Sequence, residues 1–271
     1  ALTDGNQIIH LEYTNAGNNY SSSTYQISGD GYGAVVANGN YVNNGIFEVR
    51  LRNPDDGSSY NAKDTNSDGL LNDADSIGGR GYSSSENTAQ AGNTTQITLS
   101  NTETANNTKY VGMRIVITAG TGAGQYGFIS SYNSGTKVAA IAKESDNTAG
   151  WETWHPTNGI AATLDATTAY SIEPRIQVVG GGGSGAQVRA QVTTGRITQF
   201  YIVNPGSGYT STPTLTITDP SETTEVPWEC RVGNGVLAQP TWTARGTDFE
   251  TASGTVSGDG YADIYQSAQF M

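Results

Sequence analysis

One glycine-rich segment occurs twice, and this repetition constrains the chain more than any other feature. "GNNYSSSTYQISGDGYG" (Gly17–Gly33) aligns without a gap with "GTDFETASGTVSGDGYA" (Gly246–Ala262), the Ser-Gly-Asp-Gly-Tyr string included. "VNPGSGYTSTPTLTIT" (Val203–Thr218) is a third relative. A second repeated element follows the first. "GDGYGAVVANGNYVNNGIFEVRLRNPDDGSSY" and "GGGSGAQVRAQVTTGRITQFYIVNPGSGY" each read as glycine turn, strand, polar turn, strand, then Asn-Pro turn and tyrosine. Like side chains fall at every second position in "AQVRAQV" and "ITQFYIV". That alternation marks half-buried strands. Glycine supplies positive φ at the turns, and proline presets φ at a turn position. The repeating unit is a β-meander of roughly 40 residues, used at least twice.

A different module lies between the copies. "TQITLS", "YVGMRIVITAG", "TGAGQYGFISSYN", "TKVAAIAKE" and "AYSIEPRIQV" are strand signals, with "WETWHP" before the last. They predict a compact five-stranded sheet or barrel. Helical periodicity is nearly absent, apart from one turn near Leu70–Ser76. The expected fold is all-β, built of tandem small meander, sandwich or barrel modules. The divisions are an N-terminal glycine-rich repeat over 1–60 and a linker over 61–94. The central module follows over 95–175, then a second repeat over 176–232 and a partial third over 233–271. The last copy begins near Ser257 and is cut short at Met271. Either more chain follows, or its final strand completes on a partner.

Composition agrees with many short strands and thin cores. Only 14% of residues are charged and 35% hydrophobic, while 35 are glycine. The net charge of −12 comes without a basic patch, so a nucleic-acid surface is not expected. One cysteine, Cys230, excludes an intrachain disulfide and reads as a small buried hydrophobe. The N-terminus has no basic region and long apolar run of a signal peptide. No window is apolar enough for a membrane-spanning helix.

"DTNSDGLLNDAD" carries the best match to a chemical motif. A calcium loop of the EF-hand type needs oxygen ligands at positions 1, 3, 5, 7, 9 and 12, with glycine at 6. Here the ligands are Asp64, Asn66, Asp68, the Leu70 carbonyl, Asn72 and Asp75, and Gly69 makes the turn. Asp75 stands where a bidentate glutamate is usual, which predicts a weak to moderate structural Ca2+ site, on the order of 10⁻⁵–10⁻³ M. No long helix flanks the loop, and Asx turns alone would also account for its composition.

Other motifs are weaker. "GTGAGQ" lacks the lysine and hydroxyl of a phosphate loop, and "GGGGSG" has no following helix; both read as turns. His10 and His155 form no zinc pair, and no serine sits in a nucleophile elbow. Glu144, Asp146, Glu152 and Asp165 lie near Trp151 and Trp154, the company a sugar site keeps. The plainer reading is a polar loop whose tryptophans pack on the module. Trp228 and Trp242 read as packing between modules or subunits.

Taken in order, "GMRIVITAGTGAGQYGFISSYN", "KVAAIAKESDNTAGWETWHP", "VVGGGGSGAQVRAQV", "ITQFYIVNPGSGYTSTPTLTITDP" and "TARGTDFETASGTVSGDGYADIYQ" resemble β-modules of tailed-bacteriophage virion proteins, marine cyanophage myoviruses above all. The resemblance covers roughly 10–60 and 95–271. It implies a non-enzymatic structural component of tail fibre, baseplate or neck, located in the virion. It supplies no catalytic residues. Open strand edges and low apolar content favour closure with neighbouring subunits, a homotrimer first. The alternatives are a host-glycan-binding adhesin, a glycan-cleaving tailspike, and a bacterial extracellular calcium-binding surface protein.

Overall fold

The computed structural model describes residues 2–4, 7–29, 32–51, 82–155, 158–220, 228–247 and 252–259. Among them there is no helix, and the fold is all-β as the alternation predicts. In chain order the first strands are β1 (Leu2–Asp4), β2 (Gln7–His10), β3 (Ser23–Gly29), β4 (Tyr32–Val42) and β5 (Gly45–Leu51). Next come β6 (Ser85–Thr88), β7 (Ala91–Asn93), β8 (Gln96–Thr98), β9 (Arg114–Ala119) and β10 (Gln125–Asn133). They are followed by β11 (Val138–Ala142), β12 (Glu152–Thr153), β13 (Thr163–Leu164) and β14 (Ala169–Glu173). The last are β15 (Arg175–Val179), β16 (Ser184–Thr193), β17 (Arg196–Ser207), β18 (Thr214–Thr218), β19 (Trp228–Gly233), β20 (Val236–Thr247) and β21 (Ala252–Gly258).

Strands β6 to β14 form one antiparallel sheet in the order β13-β7-β8-β11-β10-β9-β14-β6, with β12 added to β10. Its two ends are one ladder. β6 and β7 are halves of a single run, as are β13 and β14. Thr163 pairs with Asn93, Ala169 pairs with Thr88, and between them the Ala89 N–H donates to the Thr168 carbonyl at 2.8 Å. Among the described residues the ring of strands therefore closes into a barrel, with β12 a short strand added to β10. Ser85–Asn93 gives no strand signal in the sequence, its only apolar side chains being Ala89 and Ala91, yet it closes the ring.

Alternation fills the barrel. Along β9 and the residue before it, Met113, Ile115 and Ile117 point inward, where they meet Leu99, Ile129, Ile141, Trp151 and Ile172. Arg114 and Val116 point outward. The turn after β9 needs glycine. Gly120 has φ +76°, and a Cβ there would lie 1.9 Å from the Thr167 carbonyl oxygen.

Apart from the β1–β2 hairpin, the remaining strands pair in nested fashion around the inserted barrel. β3 pairs with β21, β4 with β20, and β5 with β19. Inside these, β15 pairs with β18 and β16 with β17. The N-terminal and C-terminal repeats thus complete each other within one chain, and β21, the last strand described, lies on β3. The expected tandem order of separate repeat units is replaced by a single core. Ile46, Phe47, Val188, Phe200, Ile202 and Val236 meet there. Cys230 is buried in the same core, as a small hydrophobe would be. The segment Leu11–Ala16 threads through it. Its backbone groups are satisfied by Tyr13–Ile202 exchange at 3.0 and 2.6 Å, and by Ala16 donating to Phe47 at 2.8 Å.

Candidate functional site

Barrel and repeat body meet along a seam, and the densest polar chemistry of the described residues lies there. β9 supplies Arg114 from the barrel's outer face, because its neighbours Met113 and Ile115 face inward. β14 ends with Glu173, in register with Arg114. β15 opens with Arg175. β16 turns Val188 and Ala190 into the repeat core, which leaves Gln187 and Arg189 on the barrel side. Glu12 comes from the threaded N-terminal segment, and Glu144 from the loop after β11.

These six charges alternate in sign along a line: Glu12, Arg189, Glu173, Arg114, Glu144, Arg175. Arg189 Nη1 donates to Glu12 Oε1. On its other side it grips Glu173, through Nε at 2.9 Å and Nη2 at 2.8 Å. Arg114 is 1% exposed and binds Glu144 in a fork, Nε to Oε1 at 2.7 Å and Nη2 to Oε2 at 2.6 Å. Its Nη1 donates to the Val188 carbonyl at 2.6 Å, across the seam. Glu173 lies 3.8 Å from Arg114, and Glu144 lies 3.9 Å from Arg175. The Arg175 guanidinium covers the Phe128 ring at 4.0 Å. The four inner ions thus have charged partners on both sides, the condition under which buried charges are tolerated, while Glu12 ends the line on Arg189 and Arg175 ends it on Glu144 and the Phe128 ring.

Electrostatics follow the geometry. Burial pushes the Glu12 carboxyl up, but the Arg189 charge outweighs it and holds the group below its ordinary range. Burial would likewise lower the Arg189 guanidinium; Glu12 and Glu173 overcome this and raise it. The seam clamps with fixed charges of balanced sign.

An aromatic stack closes the seam's edge. Trp154 lies between Tyr126 at 4.2 Å and His10 at 5.3 Å, both near parallel. Trp154 Nε1 donates to Gln187 Oε1 at 2.9 Å, and Gln187 Nε2 donates to the Tyr126 hydroxyl at 2.7 Å. Burial raises the Tyr126 phenol to about 12 and lowers His10 to about 4, with Glu12 opposing the latter shift. Among the described residues His10 Nε2 has no hydrogen-bond partner.

A second buried carboxylate stands at the barrel's end. Glu103 accepts from the Tyr110 hydroxyl at 2.5 Å, the Tyr170 hydroxyl at 2.6 Å and the Ser85 hydroxyl at 2.7 Å. Burial first, then Glu103, pushes both phenols up.

The acids and tryptophans that suggest a sugar site are used differently. Glu144 is in the ion-pair line. Glu152 accepts the Glu144 N–H at 2.6 Å and the Ser145 N–H at 3.3 Å. Asp146 caps its own turn through Thr148, and Asp165 does so through Thr167. Trp151 is buried in the barrel and donates to the Asn93 carbonyl at 3.0 Å. The loop residues Asp64, Asn66, Asp68, Leu70, Asn72 and Asp75 lie outside the described residues. Among the described residues no group of three acids, histidines or cysteines could hold a metal ion, and no helix is long and apolar enough to cross a membrane.

The seam left a trace in the sequence that charge counting misses. Three of its six members are lone charges inside an apolar strand pattern: Glu12 in "IIHLEYT", Arg114 in "GMRIVIT", Arg189 in "AQVRAQV". In a chain this poor in charge, such interruptions mark buried partners. Fold and seam together define an all-β protein in which a closed barrel is inserted into nested glycine-rich ladders and locked to them by ions. Comparison with protein-family models, curated proteins and solved structures finds no match.

Proposed function

We propose that this chain is a non-enzymatic structural component of a tailed-phage virion, of the tail-fibre, baseplate or neck type. One observation carries the reading: the buried charges of the described residues tie segments together. The line from Glu12 to Arg175 joins the N-terminal segment, the barrel and the second repeat. A part that transmits load between neighbours needs its modules fixed, and paired buried ions fix geometry more than they add stability. Among the described residues the β3–β21 ladder is two-stranded, and the edge of β21 away from β3 offers a place for subunit contacts. The phage-like order of the repeats supports the same reading. In it, Asp64–Asp75 is a structural Ca2+ loop on the crossing from β5 to the barrel.

Immunogold electron microscopy of purified particles tests it, with antibodies raised against this chain. Label at the tail or neck is expected. Unlabelled particles, with the protein confined to the unassembled fraction of the lysate, would refute the reading.

A further inference from the structure

We infer that the outer edge of β21 is a self-association surface that takes β21 of a second copy in antiparallel pairing across a two-fold axis. This rests on the assembly reading above and names its partner. Three features of the strand point there. First, the β3–β21 ladder is a two-stranded sheet, so among the described residues β21 is hydrogen-bonded on one side only. Second, β21 lacks the devices that usually blunt an edge. "ASGTVSG" has no charge and no proline, and its seven pairs with β3 run without a bulge. The ladders β4–β20, β5–β19 and β16–β17 all contain register shifts. Ser253, Thr255 and Ser257 are exposed, so among the described residues this face of the strand is polar and uncovered.

Third, the repeat pairs with itself inside the chain. β3 and β21 hold corresponding parts of the repeated segment Gly17–Gly33 and Gly246–Ala262, and they lie antiparallel. Gln26 and Thr255 hold the same position in the two copies, and they face each other at the centre of the ladder. The pairing is therefore isologous: each copy of the segment accepts its own likeness around a local two-fold axis. A second chain offers the same segment to the opposite edge, where alternate peptide groups point. Centred on Thr255, such pairing sets Ser253 of one copy opposite Ser257 of the other. Identical antiparallel strands need a two-fold axis, so these contacts make an even-numbered assembly and not the threefold closure expected from composition.

Analytical ultracentrifugation and amide hydrogen exchange test the inference across a hundredfold range of concentration. The chains compared are the wild type, Ser253→Lys/Ser257→Lys and Ser253→Thr/Ser257→Thr. The wild type and the threonine pair are expected to form dimers, with about half of the β21 amides exchanging at least tenfold more slowly at the high end. The lysine pair places like charges opposite each other and should stay monomeric with an unchanged circular dichroism spectrum. Concentration-independent mass and exchange in the wild type would overturn the inference. So would a folded lysine variant that dimerises equally well. A trimer indifferent to the lysines removes this inference and leaves the assembly reading standing. Absence from virions removes that reading and leaves the dimer measurement untouched.

Discussion

Replacing Arg189 with methionine tests the seam most directly. The substitution keeps much of the apolar stem and deletes the charge. Glu12 and Glu173 then lose the guanidinium that lies against both of them, while their side chains stay 8% and 4% exposed. Breaking a buried pair by removing one partner costs about 3–5 kcal/mol, because the remaining ion is uncompensated. Glu173 keeps Arg114 at 3.8 Å, so Glu12 suffers most. The pH dependence separates this from simple loss of packing. In the wild type the folded Glu12 lies below its ordinary 4.5, so its contribution is full above that value and fades as pH falls through the folded pKa. In Arg189→Met, burial is unopposed and raises the folded value. The variant's penalty is then largest at neutral pH and shrinks as acid protonates the carboxyl. Urea unfolding followed by tryptophan fluorescence at pH 7 and near pH 4 measures both. A loss of about 3–5 kcal/mol at pH 7 that narrows at the lower pH is expected, and adding Glu12→Gln should return part of it at pH 7. A loss below about 1 kcal/mol, or one independent of pH, would show that the ions do not lock the seam.

Three further outcomes follow from the same geometry. Gly120→Ala forces a Cβ against the Thr167 carbonyl at a positive φ, so it should cost about 2–3 kcal/mol and lower the melting temperature by several degrees. Glu103→Gln removes the charged acceptor of Tyr110 and Tyr170. Absorbance titration should show both phenols ionising at lower pH than in the wild type, still above their ordinary range because burial persists. Asp68→Ala should abolish Ca2+ binding by titration calorimetry; it, or chelation, should expose residues 60–81 to protease and leave the barrel, with β6 and β7, and the repeat ladders folded.

Some of this was readable from local pattern. Strand signals located β9, β10 and β11, and period-two runs located β16 and β17, because a strand with one buried face must alternate. The glycines marked the turns. Cys230 was rightly read as a buried hydrophobe. Polar strands were not readable. Ser85–Thr88 and Ala91–Asn93 carry no apolar signal, and their place is fixed by hydrogen bonds to β14 and β13. The acids near Trp151 and Trp154 looked like a sugar site because sequence neighbours share a loop. In space Glu144 belongs to Arg114, thirty residues away along the chain.

The sequence by itself determined the class of element, the positions of the turns and the identity of the repeats, since each depends on a few neighbouring residues. It also placed lone charges inside apolar strands without naming their partners. Only the tertiary structure decided that the first and last repeats pair with each other, that the barrel is an insertion between them, and that Glu12 meets Arg189 across 177 positions. Partner choice between strands depends on which long loops close and which cores then fill. Those are properties of the whole chain, and no window of sequence contains them.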